Sequence, residues 1–317
     1  MISRRAGLGA LMAGLAGPAW AQPAAIRLVI AFPPGGSTDI LGRLLAPRMA
    51  ARLGATVTPE NRSGAGGAVA SGHVAQSAPD GGTLLLDSGG QAVNPFLLRG
   101  LGFDYERDLA PVTLLATLPL LLVARPGFGV GDLPALLDRL RADPRHARYG
   151  SVGVGSRTHI AAAALLRRAG IAGEHVPYRG GADQVQGLLR GDVPFGFTSL
   201  ALAAPLLADG RLRALGVSTA ARAAAAPEIK TIAEQGFPDF AHGDWLALLA
   251  PAGTPPRIIA TLAEAAAEAV NDAEIAPRLF ALGLQAEARG PAHLAEFLAG
   301  ERALMSRIIA EEGIRLD

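Results

Sequence analysis

The sequence predicts an α/β fold arranged as two lobes. Short apolar, β-branched runs alternate with helix-period segments almost throughout, the pattern of layered α/β proteins. Glycine-rich loops recur where those runs end, and open α/β sheets place ligand sites at the carboxyl ends of strands. The chain has 317 residues, more than one core usually organises.

The elements follow in order. Ile26–Phe32 (IRLVIAF) reads as a buried parallel strand, ended by Pro33-Pro34-Gly35-Gly36. Ser37-Thr38-Asp39 can cap a helix whose apolar positions run from Ile40 to Leu53. Thr56–Pro59 fits a second strand. Gly64–Gly67 opens a small-residue helix reaching about Gln76. Thr83–Leu86 is a third strand, and Asp87-Ser88-Gly89-Gly90 leads into a helix over Gln91–Leu98. Val112–Ala124 is strand-like on both sides of Pro119, and Val130–Arg141 is helical with Asp132 as N-cap. Strands at Tyr149–Val152, Glu174–Tyr178, Val193–Thr198 and Leu212–Ser218 alternate with helices over 157–169, after Gly181, and over 200–208. Trp245–Ala250 is strand-like. Thr254–Asn271, Glu274–Leu282 and 291–311 are helical.

The N-terminus differs from the rest. Arg4 and Arg5 precede the small, apolar run Ala6–Ala16, and Ala19-Trp20-Ala21 fits a signal-peptidase site. Residues 1–21 are therefore expected to be a removed signal peptide, exported by the Sec or the twin-arginine route. The most apolar later stretch, Leu114–Ala124, is too short to span a bilayer and contains Pro119. A soluble periplasmic protein is the expectation.

Composition excludes several functions. Lys+Arg total 29 and Asp+Glu 28, so no basic surface for nucleic acid is expected. Half the residues are hydrophobic, which excludes disorder. There is no cysteine, hence no disulfide, thiolate nucleophile or Cys-held metal. His73, His146, His159, His175, His242 and His293 show no metal-ligand spacing. No metal and no cofactor are expected.

Four loops are candidate ligand contacts. In Phe32-Pro33-Pro34-Gly35-Gly36-Ser37-Thr38-Asp39, glycines admit close approach and the first helical N–H groups lack intrahelical partners and carry partial positive charge. That combination suits a carboxylate. The same residues fit an ordinary β–α turn capped by Asp39, and the local pattern leaves both readings open. Ser151, Gly155, Ser156, Thr158 and His159 repeat the logic in a second loop, which lacks the third glycine of a dinucleotide fingerprint. Tyr178, Gly180 and Gly181 form a third, and Ser88, Gly89 and Gly90 a fourth. Catalytic motifs are missing: there is no G-x-S-x-G, H-E-x-x-H or Walker loop. Ser156 with His159 is the one imitation of a nucleophile and base, and a periplasmic serine hydrolase is the competing class.

Nine blocks in register resemble the receptors of tripartite tricarboxylate transporters, the Bug-type extracytoplasmic solute receptors. They are Ile26–Asp39, Glu60–Gly67, Ala78–Leu86, Asp108–Val112, Gly153–His159, Val176–Gly180, Gly210–Val217, Thr231–Phe237 and Leu249–Pro255. The resemblance implies a two-lobed periplasmic binding protein of the second topological class. Lobe 1 would comprise 22–122 with 247–317, lobe 2 123–246, with crossings near Pro119–Ala124 and Trp245–Ala250. It implies a small organic carboxylate between the lobes, held by the four loops and by Thr198 and Ser199 at a strand end. It also implies delivery to membrane permease subunits, or to a sensor kinase, by a monomer without enzymatic activity. Thr198 stands where such receptors often carry an Asp able to meet a ligand ammonium. That departure implies a plain di- or tricarboxylate or an aromatic acid. Val152 replaces a usual Ser, and Asp87 is an unusual acid beside the fourth loop.

Overall fold

The computed structural model describes residues 23–314; the expected signal segment, 1–21, lies outside the described residues. The alternation of strands and helices is observed. β1 (Ala25–Ile30), α1 (Ser37–Leu53), β2 (Thr56–Asn61), α2 (Ala68–Ala75), β3 (Thr83–Asp87) and α3 (Gly90–Leu97) lead to a long strand, β4 (Leu109–Ala124). Then come α4 (Leu133–Ala142), β5 (Arg148–Ser151), α5 (Arg157–Arg168), β6 (Glu174–Pro177), α6 (Gly181–Arg190), β7 (Phe195–Ser199), α7 (Leu200–Ala208) and β8 (Arg213–Val217). β9 (Gly243–Pro251), α8 (Pro256–Val270), α9 (Ala276–Ala281), β10 (Gln285–Ala286) and α10 (Gly290–Glu312) complete the chain.

The strands form two sheets that share β4. Leu109–Pro119 runs antiparallel to β9, and β9 continues to β3, β1 and β2. Leu120–Ala124 pairs instead with β7 and β8, and β7 continues to β5 and β6. β4 therefore changes sheets between Pro119 and Leu120, three residues before the expected boundary at 122/123. β9 begins at Gly243, opposite Pro119, ahead of the expected return at 246/247. The alternation predicts parallel sheets throughout; β4 and β9 are instead antiparallel insertions into otherwise parallel pairings. The reason is connectivity, because a strand that leaves one sheet for the other and a strand that returns must run in opposite directions. Pro111 and Pro119 both sit within β4, which carries bulges near Pro111 and Leu114 and is one strand rather than two.

Each sheet is covered on both faces, which is why its strands read as unbroken apolar runs. On β1, Leu28 and Ile30 face α1 and α8, while Val29, with Ala31 just past the strand end, faces the cluster of α2, α3 and α10. On β4, Leu120 and Leu122 join the α4–α5 core, while Leu121 and Val123 join that of α6 and α7. Gly42 permits α1 to lie close on the sheet: a Cβ there would stand 2.9 Å from both Ile30 and Leu86. Among the described residues no helix is long and apolar enough to cross a membrane.

Candidate ligand cleft between the sheets

Five helices open on one cavity, each following a strand: α1 after β1, α3 after β3, α5 after β5, α6 after β6 and α7 after β7. The cavity holds about 640 Å³ not occupied by protein atoms, part of it open to solvent. Its floor is apolar, made by Leu118, Leu120 and Leu246, with Phe32, Val152 and Leu202 on the walls. Of the sequence-derived candidates, Phe32, Gly36, Ser37, Ser88, Gly90, Ser156, Thr158, Gly181, Thr198 and Ser199 line it.

The first loop is held from behind. Asp39 is not the N-cap of α1; Gly36 is. Asp39 is buried in the first turn, where it accepts Gly35 N–H (2.9 Å), Asn61 Nδ2–H (2.9 Å) and Arg43 Nε–H (2.9 Å). Burial pushes its carboxyl up, but these hydrogen bonds prevail and hold it below the usual carboxylate range. The Gly35 amide is thus already used, and its φ of +83° suits only glycine comfortably. Gly36, Ser37 and Thr38 face the cavity. Pro34 and Gly35 are at the surface, and Pro33 faces Gly180, where a Cβ would stand 3.0 Å from the proline ring. Ser37 Oγ donates to Ser199 Oγ across the cleft at 2.8 Å.

The second loop is stitched by its own side chains. Val152 N–H donates to Thr158 Oγ1 (3.0 Å), Gly153 N–H to Ser151 Oγ (3.1 Å), and Gly155 N–H to His159 Nδ1 (3.1 Å). Ser156 caps α5 by accepting His159 N–H and itself donates to Gly153 O (2.7 Å). The hydrolase alternative lacks its dyad: the His159 ring accepts from Gly155, not from Ser156. Ser151, Gly155 and His159 lie behind the cavity wall. Tyr178 lines an adjoining outer groove with Gly64–Gly67, Val152–Val154 and Arg179. Gly89 touches the cavity's acidic side chain, described next.

Two charged lining residues escaped the sequence reading. Arg157 (4% exposed) reaches from α5 to α10, 3.3 Å from Glu301 (14% exposed). Its Nε–H donates to Gly243 O (2.8 Å), and its stem packs on Gly89. Asp244, at the start of β9, accepts Gly89 N–H (3.2 Å) and Trp245 N–H (2.8 Å) through Oδ1. Burial raises its carboxyl, against the pull of Arg157. An arginine flanked by Ser156 and Thr158 reads as a solvent-facing helix residue. An acid heading an apolar strand was the available signal for Asp244. Thr38, Gly66 and Val152 also line the cavity.

Beneath the second loop lies a neutral histidine stack. His159 and His175 are parallel, with ring centroids 3.8 Å apart, and Ser151 Oγ lies 2.6 Å from His175 Nε2. Burial, aided by His175, lowers His159 to about 3; burial lowers His175 to about 4. An unfolded histidine titrates near 6.5. As pH falls from about 6.5 toward 4, the unfolded chain gains protons that the folded chain refuses, so stability falls. Each histidine contributes up to about 1.4 kcal/mol per pH unit. Asp87, pushed up to about 6 by burial, acts in the opposite sense between about 4 and 6. His159→Phe is expected to flatten the net pH slope by about one histidine's share. Denaturant melts of both proteins at pH 7, 6 and 5 test this, and parallel slopes would contradict it.

Comparison with known proteins agrees with this geometry. Residues 41–314 match the model of the "Tripartite tricarboxylate transporter family receptor", a match that begins just after the first loop. The Bordetella pertussis protein BugT is 33% identical over 309 residues, covering 96% of this chain and 95% of that protein. An R. palustris protein solved with adipate superposes with a TM-score of 0.89 at 30% identity, covering 92% of this chain and 98% of that one. MatC from Rhodopseudomonas palustris, solved with bound malate, gives a TM-score of 0.85 at 31% identity, covering 90% and 98%. Family and neighbours are substrate-binding receptors, and the layered α/β fold with its cleft is theirs; the chain belongs to the tripartite tricarboxylate transporter receptor family.

Proposed function

We propose that the protein captures a small organic carboxylate between its two sheets in the periplasm and presents it to the permease subunits of a tripartite transporter. The observation that carries this reading is the convergence of five helix N-termini on one cavity of about 640 Å³. Helix N-termini carry partial positive charge and first-turn N–H groups without intrahelical partners, so a carboxylate is favoured over a neutral group. At α3, however, Ser88, Gly89, Gln91 and Ala92 N–H already donate within the protein. The contacts are Phe32, Gly36, Ser37, Ser88, Gly90, Ser156, Thr158, Gly181, Thr198 and Ser199, with Arg157 and Asp244 added. Pro33, Pro34, Gly35, Asp39, Gly89, Ser151, Gly155, His159, Tyr178 and Gly180 shape the loops that carry them. The adipate and malate of the two neighbours support the ligand class.

Lobe 1 carries β1–β3, β9, β10 and the first part of β4, and lobe 2 carries β5–β8 and the last part of β4, hinged at Pro119/Leu120 and at Gly243. Capture follows from closure, since a ligand touching both lobes stabilises only the closed arrangement. The signal peptide is cleaved after Ala21. The mature receptor is a monomer.

Calorimetry with adipate, malate and their dimethyl esters tests the reading. We expect at least one free acid to bind measurably and no ester to bind. Trp245, whose Nε1–H donates to Glu301 beside the hinge, reports closure by fluorescence. Esters bound as tightly as acids would refute it.

A further inference from the structure

Resting on the carboxylate reading above, we infer that the cavity's second end reads a hydrogen-bond donor, and that Asp244 is the residue that reads it. The ligand class is an acid with a hydroxyl or ammonium group at its far end, rather than a dicarboxylate.

The two ends of the cavity differ in chemistry. At one end Ser37 and Ser199 are hydrogen-bonded to each other beside the start of α1. Thr198, 1% exposed and lining the same cavity, has an Oγ1 with no partner among the described residues. A hydroxyl can donate, so this end suits a carboxylate. At the other end the side chain of Asp244 is tethered to the Ser88–Gly90 loop through Gly89 N–H. The internal hydrogen bonds of Asp244, from Gly89 and Trp245, both fall on Oδ1. Its Oδ2 is left to accept from a ligand. Arg157 attracts this carboxylate, but its hydrogen bonds go to Gly243 O and Met305 Sδ and its ion pair to Glu301, so no guanidinium N–H is bonded to Oδ2.

An ionised carboxylate only accepts hydrogen bonds. A second ligand carboxylate facing Oδ2 would meet an acceptor rather than a donor, and one of the two would have to take up a proton. A hydroxyl or ammonium supplies what Oδ2 lacks. The acid expected at position 198 and replaced there by threonine thus enters the cavity from a different strand, β9. The sequence expectation of a ligand without an ammonium group is thereby reopened.

The test uses two isosteric series on the purified protein: hexanoate, 6-hydroxyhexanoate, 6-aminohexanoate and adipate, and their four-carbon counterparts. We expect the hydroxy or amino member of one series to bind at least tenfold more tightly than both the plain acid and the diacid. The hydroxy and amino arms distinguish which donor is read. Asp244→Asn keeps an oxygen for Gly89 and Trp245 but offers the ligand an N–H; it should reverse the preference toward the diacid by tenfold or more. The wild-type ranking decides the matter even where the variant fails to fold. A diacid or plain acid binding tightest to the wild type overturns this inference while leaving carboxylate capture intact. Failure of every acid in both series overturns both.

Discussion

Gly36→Phe abolishes ligand binding while leaving the fold nearly as stable as before. Gly36 lines the cavity with φ −83°, an ordinary angle for any residue, and an added Cβ would meet only Pro33 O at 3.7 Å. The new ring therefore costs little in the backbone and projects into the space that the carboxylate needs. Losing two charge-assisted hydrogen bonds, at about 1.5–3 kcal/mol each, corresponds to roughly a hundredfold or greater loss of affinity. The melting temperature should move by no more than about 4 °C, the shift expected for about 1 kcal/mol in a large domain. Calorimetry and thermal melts measured on the same sample check both halves. Retained affinity would mean that the first loop does not contact the ligand.

Arg157→Ala has its largest effect on stability. Arg157 and Glu301 are both largely buried, and the guanidinium also satisfies the Gly243 carbonyl. Removing one partner strands the other, a defect worth about 3–5 kcal/mol. Urea unfolding followed by Trp245 fluorescence should register a loss of that size. The double variant Arg157→Met with Glu301→Gln should recover most of it. No uncompensated charge then remains at the pair, and the new side-chain amide can still accept from the Trp245 indole through its oxygen. A single variant as stable as the wild type would show that the pair contributes nothing net.

Local chemistry explains what the sequence disclosed. The strand–glycine–helix order at Ile26–Asp39 and at Tyr149–His159 is written in adjacent residues, so both loops were legible before any fold was known. The role of Asp39 was not, because its partners Arg43 and Asn61 are one turn and one strand away. Nor was the role of Arg157, whose acid partner comes from α10, at the far end of the chain. Residues 219–242 carry no periodic signal, and they contain only turns, one 3-10 turn at Ala233–Gln235 and a single bridge, from Thr231 to Val217. β10 was missed for a similar reason: two residues pairing with β4 leave no pattern of their own. Antiparallel placement of β4 and β9 depends on where the chain leaves and re-enters a sheet, which no window of residues encodes.

Because β4 is woven into both sheets, neither half can be excised as a working fragment. A cut anywhere in Leu109–Ala124 removes a central strand from one half or the other and exposes the row of main-chain groups that it had satisfied. A biosensor made from this receptor should accordingly keep the polypeptide whole and carry its reporter as an insertion. The exposed turn at 220–222, after β8 and ahead of the buried Ala223 and Ala226, lies outside both sheets and offers the natural graft point.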